Sequence, residues 1–165
     1  MKELLVLDLD NTLVDTEGYL KDAGLLPKDK HLYDNPIEDI IRAYVRADIR
    51  LIKAKPIQHV VDYALDWYNN HRSEHPLRNS FVVITSRLSV PIDITDIQVG
   101  SIFPSQMHVP VYVSSKKGAT INSLAGIFGY EHFVIIDDKF GEEYSCLNVS
   151  HVYKHPDDLL KETTI

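Results

Sequence analysis

Three short apolar runs, each cut off by polar residues, constrain this chain more than any other feature. Leu4-Leu5-Val6-Leu7 runs into Asp8 and Asp10, Phe81-Val82-Val83-Ile84 into Thr85-Ser86-Arg87, and Phe133-Val134-Ile135-Ile136 into Asp137-Asp138. Four apolar residues in a row, without alternation, suit a strand covered on both faces, which is the environment of a parallel sheet. His108 to Val113 and Val149 to Tyr153 read as two further short strands.

Between the runs the apolar residues recur at helical spacing. Ile37, Ile40, Ile41, Tyr44, Val45, Ile49 and Ile52 predict a helix from Ile37 to about Lys53, opened by Asn35-Pro36. Pro56 breaks that pattern, and a second helix is expected from Ile57 to Asn70. A third runs from Lys117 to Phe128 and stops at Gly129, and Pro156 to Lys161 suits a short final helix. Residues 15–36 read as loop or short helical pieces. Strands alternating with helices predict an α/β fold, a Rossmann-like three-layer sandwich with a mainly parallel sheet. The 165 residues fit one domain, 1–165, with a small helical, cap-like insertion at about 16–55.

The formal charge of −7 argues against strong nonspecific attraction to nucleic acid, which needs clustered Lys and Arg, although a nucleotide or a nucleic-acid end can still be a substrate. Cys146 is the single cysteine, so no internal disulfide forms, and its expected place is in buried packing. Leu4 to Leu7 is interrupted at once by acids, unlike a signal peptide, and no apolar run approaches the roughly 20 residues that span a bilayer. A cytoplasmic location is expected. The eight histidines show no zinc-ligand spacing; His71 and His75 are four apart, but Pro76 follows and no third ligand is evident. Trp67 is expected in the core, whereas Tyr19, Tyr33 and Tyr44 of the insertion are candidates for substrate contact.

The polar residues after the runs carry the chemistry. In open α/β sheets, ligands bind beyond the carboxyl ends of the strands. Parallel neighbours would bring Asp8, Thr85 and Asp137/Asp138 to one edge, where clustered carboxylates must protonate or bind a cation. Oxygen ligands without His or Cys favour Mg²⁺, which leaves room for water and a substrate phosphate. One carboxylate can then attack phosphorus while a second moves protons. Residues i and i+2 of a regular strand share a face, so Asp8 and Asp10 are suited to one reaction centre.

These segments resemble the four motifs of the haloacid dehalogenase-like phosphatase superfamily, in order and over nearly the whole chain. Asp8-Leu9-Asp10-Asn11-Thr12-Leu13-Val14 is similar to the first, Val83-Ile84-Thr85-Ser86-Arg87 to the second, Lys117-Gly118 to the third and Val134-Ile135-Ile136-Asp137-Asp138 to the fourth. The resemblance implies Asp8 as nucleophile and Mg²⁺ ligand. It implies Asp10 as general acid/base, with its backbone carbonyl on the metal. Thr85 would hold a phosphoryl oxygen with Ser86 close by, and Lys117, rather than the adjacent Lys116, would neutralise the site. Asp138 would be a direct metal ligand, and Asp137 would act through water or a hydrogen bond. Arg87 would either fork onto a substrate phosphate, as in nucleotidase-like and polynucleotide-phosphatase-like members, or make a surface ion pair. An acid at Asp10 resembles phosphatases and phosphomutases rather than dehalogenases.

The expected function is a Mg²⁺-dependent phosphomonoesterase working through an aspartyl-phosphate, with nucleotides or nucleic-acid phosphate ends as candidate substrates. A sugar-phosphate phosphatase or phosphomutase is the enzymatic alternative. A non-catalytic phosphate-responsive binding protein is the alternative from another class. A two-component receiver domain fits poorly, because its paired acids follow the first strand and its phosphorylated Asp a middle one.

Overall fold

The structure, a computed structural model, describes residues 2–71, 80–87 and 89–162. His75 and Pro76 lie outside the described residues. Five strands form one all-parallel sheet: β1 (Glu3–Leu7), β2 (Phe81–Thr85), β3 (Val111–Val113), β4 (His132–Ile136) and β5 (His151–Lys154), in the order β3-β2-β1-β4-β5. The chain moves outward from β1 in one direction through β2 and β3, and in the other through β4 and β5. The strand order therefore reverses between β1 and β4, the place where an open α/β sheet forms its crevice.

Among the described residues six helices accompany the sheet: α1 (Thr16–Asp22), α2 (Ile37–Ala47), α3 (Gln58–Asn70), α4 (Ile92–Ile102), α5 (Lys117–Phe128) and α6 (Asp158–Glu162). The apolar runs are buried on both faces, as unalternated hydrophobicity requires. Leu5, Leu7, Val83, Val134 and Ile136 pack against Val60, Ala64 and Trp67 of α3, Val99 of α4 and Leu159 of α6. Their neighbours Leu4, Val6, Val82, Ile84, Phe133 and Ile135 pack on the other face against Ile121 and Leu124 of α5. A third apolar cluster joins Leu20 of α1, Ile40, Ala43 and Tyr44 of α2, and Leu51 to Val90 and Ile94 at the start of α4. The helical segment after β1 thus has a small core of its own, seated on the sheet domain.

Four local expectations change. The helix begun at Ile37 ends at Ala47, because Asp48 takes φ 51°, and residues Asp48–Lys53 continue as a 3-10 helix. That break rotates the pattern, so Leu51 is buried while Ile49 and Ile52 face outward. β3 is three residues long rather than six; Pro110, just before it, has no amide to donate to a ladder. β5 begins at His151 instead of Val149. Cys146 is exposed rather than packed in the interior.

Helix α4 was not expected at all. Its apolar residues do not form one stripe: Ile92 and Ile97 are exposed, while polar Thr95 and Gln98 are buried. Among the described residues, no helix is long and apolar enough to cross a membrane.

Candidate active site

The register of the central strands sets the site. Leu7 is paired with Ile136, so the residues that follow the two strands, Asp8 and Asp137, leave the sheet side by side. The Asp8 amide still donates to the Ile136 carbonyl at 3.0 Å, and the Asp137 amide to the Lys154 carbonyl at 3.3 Å. Lys117, the first residue of α5, is buried and reaches between them. Its Nζ donates to Asp8 Oδ1 and to Asp137 Oδ2, both at 2.9 Å. Lys116 is exposed at the helix N-cap and takes no part.

Beyond Asp8 the backbone closes a tight turn. The amides of Thr12, Leu13 and Val14 all point at the Leu9 carbonyl, at 3.3, 3.0 and 3.1 Å. Asn11 sits at φ 62°, a conformation Asn tolerates better than most residues, and its side chain accepts from the Glu17 amide at 2.9 Å. The turn returns Thr12 to the cluster. Thr12 Oγ1 donates to Asp8 Oδ2 at 3.2 Å and accepts from the Asp138 amide at 3.2 Å.

Asp8, Asp137 and Asp138 each present a carboxylate oxygen within 4.8 Å of the others. Asp137 is the most fully engaged. Besides Lys117, its Oδ2 accepts from Tyr144 Oη at 2.5 Å and its Oδ1 from the Lys139 amide at 3.1 Å. Asp138 is the opposite case: its Oδ1 is buried with no hydrogen-bond partner among the described residues. Burial pushes the Asp8 carboxyl well above its ordinary value; Lys117 opposes this, while Asp137 and Asp138 reinforce it. Asp138 is pushed up to about 7, first by burial and then by Asp137. Burial works against a charged Lys117 too, but Asp8 and Asp137 outweigh it and hold the ammonium protonated.

Three carboxylates against one ammonium leave a deficit of two positive charges. A divalent cation would supply it, and the orphaned Asp138 oxygen would gain the partner it lacks. The donors are all oxygen, as Mg²⁺ prefers. The residues therefore fit a Mg²⁺ ion that Asp8 and Asp138 would hold; Asp8 also keeps Lys117 and Thr12, and Asp137 is engaged by Lys117, Tyr144 and the Lys139 amide.

Asp10 belongs to a second network. β1 ends at Leu7, so Asp8 and Asp10 do not share a face through regular strand geometry; the turn decides where Asp10 goes. Arg87 Nε donates to both Asp10 oxygens at 3.0 Å, and its Nη2 to Asp10 Oδ1 at 2.6 Å. Thr16 Oγ1 adds a 2.5 Å bond to Asp10 Oδ1. Burial would raise the Asp10 carboxyl, but Arg87, Thr16 and Tyr44 hold it below its usual range. Arg87 is in turn fixed by Gln98 Oε1 at 2.6 Å, and Gln98 Nε2 donates to the Leu51 carbonyl at 2.9 Å. So Arg87 makes a buried ion pair, where the sequence suggested a phosphate fork or a surface pair.

Both networks open on one cavity of ≈ 650 Å³. Asp8, Asp10, Ser86, Arg87, Lys117 and Asp137 line it. Thr85, the last residue of β2, is buried, its hydroxyl without a partner among the described residues, and it is Ser86 that reaches the wall. Tyr33 and Tyr44 also line the cavity, whereas Tyr19 packs between the cores.

Four participants escaped the sequence reading of the site: Thr16, Gln98, Tyr144 and the bridging role of Thr12. Thr12 carried a signal in its position within the first acidic motif. Nothing local marks Gln98 or Tyr144, whose roles arise from distant packing. Gly118 makes the Tyr144 contact sterically feasible: a Cβ there would lie 3.0 Å from the Leu147 amide and 3.3 Å from Cys146 Sγ. Comparison with protein-family models and with curated proteins returned no match.

Proposed function

We propose that this protein is a Mg²⁺-dependent phosphomonoesterase in which Asp8 is the nucleophile. The observation that carries this is the Asp8 carboxylate, held by Lys117 beside Asp137 and Asp138 at a cavity that Asp10 also lines. The resemblance of the four polar segments to haloacid dehalogenase-like phosphatases points the same way.

An Asp8 oxygen attacks the phosphorus of a bound monoester, and the bond to the leaving oxygen breaks. That oxygen takes a proton from Asp10, leaving as an alcohol. The product is an aspartyl-phosphate on Asp8. Asp10, now ionised, takes a proton from water, whose oxygen attacks the same phosphorus. The bond to Asp8 breaks, releasing inorganic phosphate and restoring the carboxylate. Lys117 offsets the negative charge on Asp8 and on the phosphoryl oxygens, and Ser86 offers a hydroxyl to one of them. Mg²⁺, held by Asp8 and Asp138 with the Asp10 carbonyl as a further ligand, would add positive charge where the phosphoryl oxygens gather.

The Arg87 fork keeps Asp10 ionised, which suits the water-activating half of the cycle. Delivering a proton to the leaving oxygen requires Asp10 to take one up from solvent before the first half of each cycle.

The test is hydrolysis of benzyl phosphate with and without Mg²⁺. Activity should require the metal, stop with EDTA and vanish in Asp8→Asn. Full activity in that variant would overturn the covalent route, and metal-independent turnover would overturn the cofactor.

A further inference from the structure

Besides the carboxylates, the cavity has an apolar wall. Ile37 and Ile41, one turn apart on α2, are 63% and 45% exposed, and Tyr33 is 50% exposed, yet all three line the cavity. Beneath them Ile40 and Tyr44 are buried in the segment's own core, so the wall rests on a fixed support. Lys139 places its Nζ 4.8 Å from the centre of the Tyr33 ring, tying the wall to the loop after β4. Exposed large apolar side chains gathered beside a charged centre mark a binding surface rather than a solvated face.

Resting on the phosphomonoesterase reading, we propose that this wall binds the leaving group, and that the substrate is a small phosphomonoester carrying a flat, weakly polar ring. A ring laid on Ile37, Ile41 and the face of Tyr33 removes apolar surface from water, whereas a sugar phosphate would lay hydroxyls against Ile37 and Ile41, which cannot hydrogen-bond them. The volume suits one small molecule. The rim carries Glu142 and Glu143 with Lys139 as its exposed cation, and Arg87 and Lys117 are already committed to Asp10 and to Asp8 and Asp137. A nucleic-acid strand, which needs cations along its track, is poorly served by such a rim. The ring can belong to an aryl alcohol or to a nucleoside.

Benzyl phosphate, a nucleoside 5′-monophosphate and ribose 5-phosphate are all esters of primary alcohols, so differences in kcat/KM report the rest of the molecule. At least one ring compound should exceed ribose 5-phosphate by about tenfold or more. Which one leads assigns the aryl or the nucleoside source. Ile41→Asp should collapse that ratio, while Val45→Asp, on the same exposed face of α2 but outside the cavity, should keep it. A ratio near one, an unchanged ratio in Ile41→Asp, or faster turnover of a 5′-phosphorylated oligonucleotide would overturn the proposal.

Binding separates this from failure of the hydrolytic reading. By calorimetry, benzylphosphonate should bind about tenfold more tightly than methylphosphonate, and Ile41→Asp should remove the difference. If nothing is hydrolysed but this difference holds, the subsite stands without the phosphatase; if the two phosphonates bind alike, the subsite falls whatever the hydrolysis shows.

Discussion

Arg87 grips Asp10 across 77 residues of sequence, with three hydrogen bonds of 2.6 to 3.0 Å and almost no solvent at either side chain. Such a pair is costly to break from one side, because the surviving charge stays buried without a partner. Arg87→Met should destabilise the protein by about 3–5 kcal/mol in urea denaturation. The double variant with Asp10→Asn should recover part of that loss. A cost below about 1 kcal/mol would show that the pair is not desolvated in solution.

Among the described residues, Lys117 is the cation placed between Asp8 and Asp137. Lys117→Met should reduce benzyl phosphate turnover by about 10²-fold or more, the scale of losing one preorganised electrostatic partner. It should also make folding lean harder on metal, so that Mg²⁺ raises the melting temperature of the variant more than that of the native protein. Lys116→Met should do neither. Equal effects of the two substitutions would overturn the assignment.

Glycine placement gives a contrasting pair. At Gly118 a Cβ meets the Leu147 backbone amide at 3.0 Å, so Gly118→Ala must shift the segment that carries Tyr144. A loss of about 1–3 kcal/mol is expected, as in overpacked sites. Gly100, exposed within α4, has nothing within 4 Å of an added Cβ, and Gly100→Ala should stabilise by about 1 kcal/mol through helix propensity. Thermal melts of the two variants should move in opposite directions.

Glu17 clamps the segment after β1. It accepts from the Leu32 amide and from Lys21 Nζ, the latter at 3.2 Å. Burial would raise its carboxyl, but the Leu32 amide, Lys21 and His31 outweigh burial and lower it from its ordinary 4.5. A carboxyl depressed on folding contributes stability that is fully present above its unfolded value and is lost as pH falls through the folded value. The stability gap between the native protein and Glu17→Gln should therefore be constant from neutral pH down to about 5 and narrow below 4.5. A gap independent of pH would mean that the clamp does not depend on charge.

The sheet and the acidic ends of its central strands were legible in the residues, because an unalternated apolar run has few environments that will bury both faces. Position in sequence also marked Asp8, Asp10, Lys117, Asp137 and Asp138, since each lies within three residues of the end of such a run or opens a helix. What lay beyond local pattern was the pairing. Whether Arg87 meets a ligand or Asp10 depends on the turn after β1 and on Gln98, buried in a helix with no clear stripe. The hold of Tyr144 on Asp137 comes with the close approach of its segment to Gly118. The apolar wall was likewise beyond local pattern, since Ile37, Ile40 and Ile41 look alike in sequence yet one is buried and two are exposed. Periodicity specifies which face of an element is apolar; only packing between elements decides which of those residues are left facing a cavity.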